Sequence, residues 1–487
     1  MREHQGWRRE HHEQPELLAR AQARLARFGP PRLLAATLVL AAGVLALRPL
    51  GDPDVWWHLR TGAFLLDHHR LPTRDTWGYM SHGARWVPHE WLTEAGMAAA
   101  YRVGGYWAVS GVRAVGVVVL IAMLSAQSFR RTTPYRAVVL TALAIAATSA
   151  GWGERPQLLS FILLAAVARV LVRASSSDRT PWWLVPLSWL WASLHGYWTL
   201  GVLLAVVAAI GAFADAPRAN ARRAGRLGLL AAGMLAAAAA TANGPRLLLA
   251  PFEIAKTASL INEYRPPSLH SLPGGAFAVI IGIVAVGWAR SREAVPRAEV
   301  IYGVFALVLG LAYARTLAAG AVLLVPLAAT RFPARRRDGE TESPWLANAA
   351  IATAVVVSVV VACVGEVRRS DGIAATEPRA ATAVIRALPG PRHLLVDYGL
   401  GGWLLWAAPD ASPAIDGRTE IYDAAYVRRY FAAEELRGDW RALVAETGAD
   451  SALLRRELPL VVGLRDVLHW HEAYADPDYV VLVAPSG

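Results

Sequence analysis

Gly51-Asp52-Pro53-Asp54-Val55-Trp56-Trp57-His58-Leu59-Arg60-Thr61-Gly62 follows directly on an apolar run over residues 32–50. A run of membrane length that opens into acids, tryptophans and a histidine is the feature on which the rest of the reading turns. After Pro53 the spacing predicts a helix: Trp56, Leu59, Ala63 and Leu66 recur at steps of three and four on one face, with Asp54, His58 and Thr61 on another. Such a helix suits a membrane surface, aromatics in the interface and polar face toward a cavity. Downstream, Pro72-Thr73-Arg74-Asp75 and Trp86-Val87-Pro88-His89-Glu90-Trp91-Leu92-Thr93-Glu94 continue the polar text. Pro88 can open a second helix in which Glu90 and Glu94 share a face.

Of the 487 residues, 55% are hydrophobic and 18% charged, and the mean hydropathy is +0.33. That balance excludes an ordinary soluble enzyme. A bilayer core of about 30 Å takes about 20 apolar residues per helix. Eleven segments are predicted to cross: 32–50, 107–128, 137–151, 157–172, 181–195, 198–214, 227–242, 274–289, 298–314, 316–330 and 345–364. The formal net charge of +11 resides in short arginine clusters between these segments, Lys256 being the single lysine. This spacing speaks for membrane topology rather than a nucleic-acid partner. The lone Cys363 excludes a disulfide framework or a cysteine-ligated zinc site within one chain.

Arginine clusters at 20/24/27, 130/131/136, 173/179, 218/222/223/226, 290/292/297 and 331/335/336/337 occupy the N-terminal tail and every second connection. By the excess of positive charge in cytoplasmic loops, the N-terminus is expected inside the cell membrane. Residues 51–106, 152–156, 196–197, 243–273, the junction near Arg315 and the tail from 365 are then outside. The expected fold is mainly α: a polytopic membrane protein of about 11 transmembrane helices with a small extracytoplasmic α/β domain. Residues 1–31 read as a cytoplasmic amphipathic segment without a signal-peptide cleavage pattern. Residues 32–364 form the membrane domain, with the first outer loop at 51–106. In 365–487, short runs such as His393-Leu394-Leu395-Val396 and Tyr479-Val480-Val481-Leu482-Val483 alternate with helical patterns.

A carboxylate where an apolar bundle meets water can act as a general base or ligate a divalent cation. Asp52, Asp54 and Glu90 are the candidates, yet Asp52-Pro53 is also an ordinary helix start, and Asp54 and Glu90 suit helix starts too. Glu154-Arg155-Pro156-Gln157 and Leu194-His195-Gly196 stand at outer helix ends. There Arg155 could pair with Glu154, and His195 could be a packing residue. Arg265, in Asn262-Glu263-Tyr264-Arg265-Pro266-Pro267, and Arg315 lie where topology requires no positive charge. They could hold a phosphate through the planar guanidinium fork, or neutralise Glu263 and the loop acids. Ile415-Asp416-Gly417-Arg418-Thr419-Glu420 follows an expected strand, and no dinucleotide or Walker fingerprint is present.

Asp-Pro-Asp-x-Trp-Trp-His-Leu at 52–59, His-Glu-Trp-Leu at 89–92, Arg-Pro-Gln at 155–157, Leu-His-Gly at 194–196, Arg-Pro-Pro at 265–267 and Asp-Gly-Arg-Thr at 416–419 resemble a bacterial branch of the GT-C superfamily of membrane glycosyltransferases. The resemblance spans nearly the whole chain. It implies transfer of a sugar from a polyprenyl-phosphate or pyrophosphate donor to a hydroxyl acceptor on the outer face, the acceptor being a cell-envelope glycan, lipid or protein. The superfamily's first-loop carboxylate maps onto Asp54, with Asp52 and Glu90 as partners. His58, His89, Arg155, His195, Arg265 and Arg315 are the expected substrate-binding residues. The resemblance leaves the cofactor open: some relatives hold a metal through their acidic pair and others do not, and Asp52 and Asp54 could hold Mg or Mn. A flippase for a lipid-linked saccharide and a non-catalytic membrane scaffold are the competing readings; the chain shows no internal repeat of the kind transporters use.

Overall fold

Two prolines begin the first helix, where an absent amide costs no hydrogen bond. In the computed structural model of the chain, residues 29–332, 345–389 and 392–485 are described, so most of the amphipathic segment expected at 1–31 lies outside the described residues. The membrane domain comprises α1 (Pro30–Ala46), α2 (Val55–His68), α3 (Trp91–Phe129), α4 (Pro134–Thr148), α5 (Gln157–Ala174), α6 (Leu184–Leu194), α7 (Trp198–Asp215), α8 (Pro217–Ala239), α9 (Ala250–Ala258), α10 (Leu272–Ala289), α11 (Arg297–Ala312), α12 (Leu317–Arg331) and α13 (Trp345–Arg369).

A helix falls on each of the eleven apolar stretches read from the sequence, although not every one of them has full membrane length. Among the described residues six helices are long and apolar enough to cross a membrane, or up to seven if the pair α8 and Gly244–Ala258, bent by 114°, counts as one. α1, α4, α6 and α11 have only 17, 15, 11 and 16 residues. Apolar composition continues into turns where the helical hydrogen bonds have already ended, so it overstates helix length. α3 is broken at Gly105, whose φ of 62° and ψ of −154° suit only glycine. Its first arm belongs to the loop expected at 51–106, and its second arm is the expected span.

The small C-terminal domain holds a five-stranded sheet in the order β2-β1-β3-β5-β4, formed by β1 (Arg392–Val396), β2 (Ala411–Pro413), β3 (Ser451–Arg455), β4 (His471–Ala475) and β5 (Tyr479–Val483). β1 runs parallel to β2 and β3, whereas β5 is antiparallel to β3 and β4. Leu394, Leu395, Val396, Leu453 and Val481 are buried in its core, as the continuous apolar runs of its strands require. The turns after the parallel strands meet the loop that follows α1: Gly402 lies against the Pro53 carbonyl and Gly417 against Asp54, each too near for a β-carbon.

That contact is locked by charge. Arg418 is fully buried and donates to Asp416 at 2.7 and 2.9 Å and to Asp75 at 2.8 Å. Its guanidinium lies 4.8 and 4.7 Å from the Trp77 and Trp86 rings. Asp75 also accepts from Ser81 Oγ at 2.6 Å and from the Gly78 amide at 3.1 Å. Every lone pair these acids present thus has a donor to meet, which is the condition for burying them.

Candidate functional site

Two groups of ionisable side chains stand where the helix ends meet the C-terminal domain. In the first, Arg155, just before α5, donates through Nε to Asp52 at 2.8 and 2.9 Å. Its Nη1 lies 3.2 Å from Asp54 Oδ2 and 2.7 Å from Glu263 Oε1. Burial disfavours the guanidinium, but Asp54, Asp52 and Glu263 outweigh it and hold Arg155 above the usual arginine range. Asp52 also accepts the Asp54 amide at 3.0 Å, so it does serve as a turn residue at the start of α2. Asp54 makes no such cap; its Oδ1 accepts from Trp57 Nε1 at 3.1 Å. Glu154, the nearest alternative partner for Arg155, is instead in contact with Arg113 of α3.

The second group surrounds Glu90. His195 Nε2 lies 3.3 Å from Glu90 Oε1, His89 Nε2 3.4 Å from the same oxygen, and His58 Nε2 3.6 Å from Oε2. Glu90 precedes α3 but caps no amide of it. Burial works against its charge, yet the three histidines prevail and hold its carboxyl well below the usual range. His89 answers in kind: burial lowers it, Glu90 raises it further, and the result is about 9. His58 bridges to Glu94, with Nδ1 3.0 Å from Oε1. Its burial is outweighed by that hydrogen bond and by Glu90, so it too is raised.

His195 is the exception. Its Nδ1 accepts the Tyr197 amide at 3.2 Å and lies 2.9 Å from Ser160 Oγ, which itself accepts from Trp191 Nε1 at 2.7 Å. Nδ1 is therefore bare, and the neutral ring presents Nε2–H to Glu90. Burial, together with the charges of Arg315, His89 and His58, outweighs Glu90 and lowers His195 to about 3.

Glu90, His89, His195 and Arg315 open on one cavity of about 330 Å³. Its far wall is apolar, formed by Leu247, Pro251, Ile254 and Ala258 of the bent segment that ends in α9. Arg315 stacks beside Tyr264, 4.8 Å from its ring, and donates to the Tyr264 hydroxyl, while its Nε is buried without a hydrogen-bond partner. The two groups meet through Trp57, whose ring centroid is 3.6 Å from that of His58.

Arg265 is not brought in: its side chain is exposed, and its carbonyl accepts the Ala314 amide at 2.8 Å, bracing the turn that carries Arg315. Asp52 and Asp54 do not fit a divalent cation as arranged, because the permanently cationic Arg155 occupies the space between them. No group of three or more His, Cys, Asp or Glu among the described residues is arranged to hold a metal ion. Sequence reasoning passed over Glu94, Tyr264 and Ser160 as site members. Glu94 alone carried a signal, sharing a helix face with Glu90.

No protein-family model matches the sequence, and no curated protein does. Solved structures do. The archaeal oligosaccharyltransferase AglB from Archaeoglobus fulgidus, in complex with an inhibitory peptide and a dolichol-phosphate, superposes with a TM-score of 0.58 at 12% identity, over 90% of this chain and 70% of that one. Its apo form gives 0.56 at 11% identity with the same coverage. ArnT from Cupriavidus metallidurans bound to undecaprenyl phosphate is similar over 92% of this chain and 97% of its own at 13% identity, with a TM-score of 0.46. Identities this small speak to fold alone. The chain thus shares its fold with the oligosaccharyltransferase AglB over 90% of its length.

Proposed function

We propose that this chain transfers a sugar from a polyprenyl-phosphate-linked donor to a hydroxyl acceptor at the outer face of the cytoplasmic membrane. The N-terminus is then cytoplasmic and the C-terminal domain extracytoplasmic, in keeping with the arginine clusters. One observation carries the reading: a single cavity joins the Arg315 guanidinium, whose Nε lacks a partner, to an apolar wall on one side and the Glu90 group on the other. A lipid phosphate needs those two features together, a cation for its head and an apolar surface for its chain. The dolichol-phosphate bound by AglB supports the same donor chemistry.

In this reading Asp54 takes the proton from the acceptor hydroxyl, whose oxygen attacks the anomeric carbon. The bond from that carbon to the phosphate oxygen breaks, and polyprenyl phosphate leaves with its charge held by Arg315. Arg155 and Trp57 orient Asp54, and His58, His89 and His195 hold Glu90 on the acceptor side. The test uses the full chain in liposomes, with a panel of labelled undecaprenyl-phosphate hexoses and pentoses and an envelope extract as acceptor. Free undecaprenyl phosphate should appear, and Asp54→Asn should lower turnover by at least about 100-fold while the chain remains folded at the assay temperature. Full turnover by that variant removes Asp54 from the role of base. Movement of the intact donor across the bilayer, without cleavage, supports a flippase instead.

A further inference from the structure

We propose that the opposite end of the bundle binds an acidic phospholipid, one acyl chain lying in a cavity between α5, α7, α11 and α12 and the headgroup phosphate resting on Arg131 and Arg169. The site is distinct from the one above. Glu90, Arg155, His195 and Arg315 stand at one set of helix ends, whereas this cavity lies between the other ends: the C-termini of α3, α5, α7 and α12 and the N-terminus of α11. It has a volume of about 330 Å³, and Ala165, Leu204, Val207 and Leu327 give it an apolar interior.

The polar groups of the cavity are already satisfied, apart from its cations. Tyr302 donates its hydroxyl to the Leu323 carbonyl at 3.0 Å. Glu299 accepts from Trp288 Nε1 at 2.7 Å and forms a two-pronged pair with Arg331. Asp215 accepts the Ala298 amide at 3.1 Å. Gln127 accepts from Arg131 at 3.3 Å, a neutral partner that leaves the charge in place. No carboxylate among the described residues pairs with Arg131 or Arg169. Burial, with the nearby guanidinium groups of Arg169, Arg173 and Arg130, holds Arg131 below the usual arginine range despite Tyr302. Like charges gathered over an apolar hole are relieved by an anion that brings its own apolar tail. A water-soluble phosphate would meet the cations and leave the hole unfilled.

The experiment is native mass spectrometry of the delipidated full chain with dioleoylphosphatidylglycerol or dioleoylphosphatidylcholine. One phosphatidylglycerol should be retained in preference to phosphatidylcholine. Arg131→Gln/Arg169→Gln should weaken that retention by about 30-fold, each surface arginine contributing its share of the attraction. Ala168→Phe, which fills the cavity, should weaken it with both arginines intact. Equal retention by the double arginine variant overturns the proposal, whether or not the phenylalanine variant folds. So does equal retention of phosphatidylcholine by the unaltered chain, or displacement by glycerophosphoglycerol at the concentrations that phosphatidylglycerol itself requires, since either leaves the chain or the charge without a role. Sugar transfer at the outer face is a separate readout, so its absence from an assay leaves this result intact.

Discussion

Glu90 faces three imidazoles that it treats differently. His89 is drawn up to about 9 by Glu90, so its pairing stabilises the folded chain fully below about pH 6.5, where the unfolded histidine is also charged. That contribution fades as pH rises toward 9. His195, lowered to about 3, has the opposite sign: the unfolded chain binds its proton more readily, so stability falls as pH drops below about 6.5. Thermal unfolding of the chain and of Glu90→Gln should therefore differ by a few degrees near pH 6.5, and the difference should shrink by pH 9 to 10. A difference that stays constant over that range would show that His89 does not titrate against Glu90. Lysine keeps the charge but not the fork, so Arg315→Lys should raise KM for the lipid donor by about tenfold or more with a smaller effect on kcat.

Helix α2 reaches the site because it crosses α3 at Gly62, against the Glu94 carbonyl. A β-carbon there has backbone in its way, so Gly62→Ala should cost about 1–3 kcal/mol, read as a lowered unfolding midpoint. It should also separate His58 from Glu94 and reduce turnover, whereas Gly96→Ala, with open space around it, should do neither. Trp56 and Leu59 are buried as fully as His58 and Thr61, so α2 does not lie with its aromatics in a membrane interface as expected; what was legible in the spacing of Trp56, Leu59, Ala63 and Leu66 was the helix itself, because helix period is a local property. The number of complete crossings was not. Whether a short apolar helix such as α6 spans a membrane or packs within a bundle depends on neighbours that its own residues do not specify.

The whole molecule depends on the C-terminal domain closing over the first loop through Arg418. Removing one partner of a buried ion network leaves the others uncompensated, so Arg418→Leu should destabilise the chain by about 3–5 kcal/mol. It should also impair turnover, because Gly417 beside it rests against Asp54. By contrast, Arg102→Ala should change stability by less than about 1 kcal/mol, since Arg102 and its partner Asp67 are about half exposed. Equal effects of the two substitutions, measured by thermal unfolding, would mean that the Arg418 network does not hold the domains together.

Apolar run lengths, the arginine clusters and the helical spacing after Pro53 were enough to establish a mainly helical membrane fold with an α/β tail, because each depends only on residues near one another in the chain. They also put Asp54, Glu90, His195 and Arg315 near the ends of apolar segments. Which charges meet was decided by tertiary structure: Arg155 passed over its neighbour Glu154 for Asp52, Asp54 and Glu263, and Arg418 found Asp75 across 343 positions. The strength of an ion pair rises as water is excluded, and water is excluded only where separate segments pack together. Burial of that kind is not encoded in any one segment.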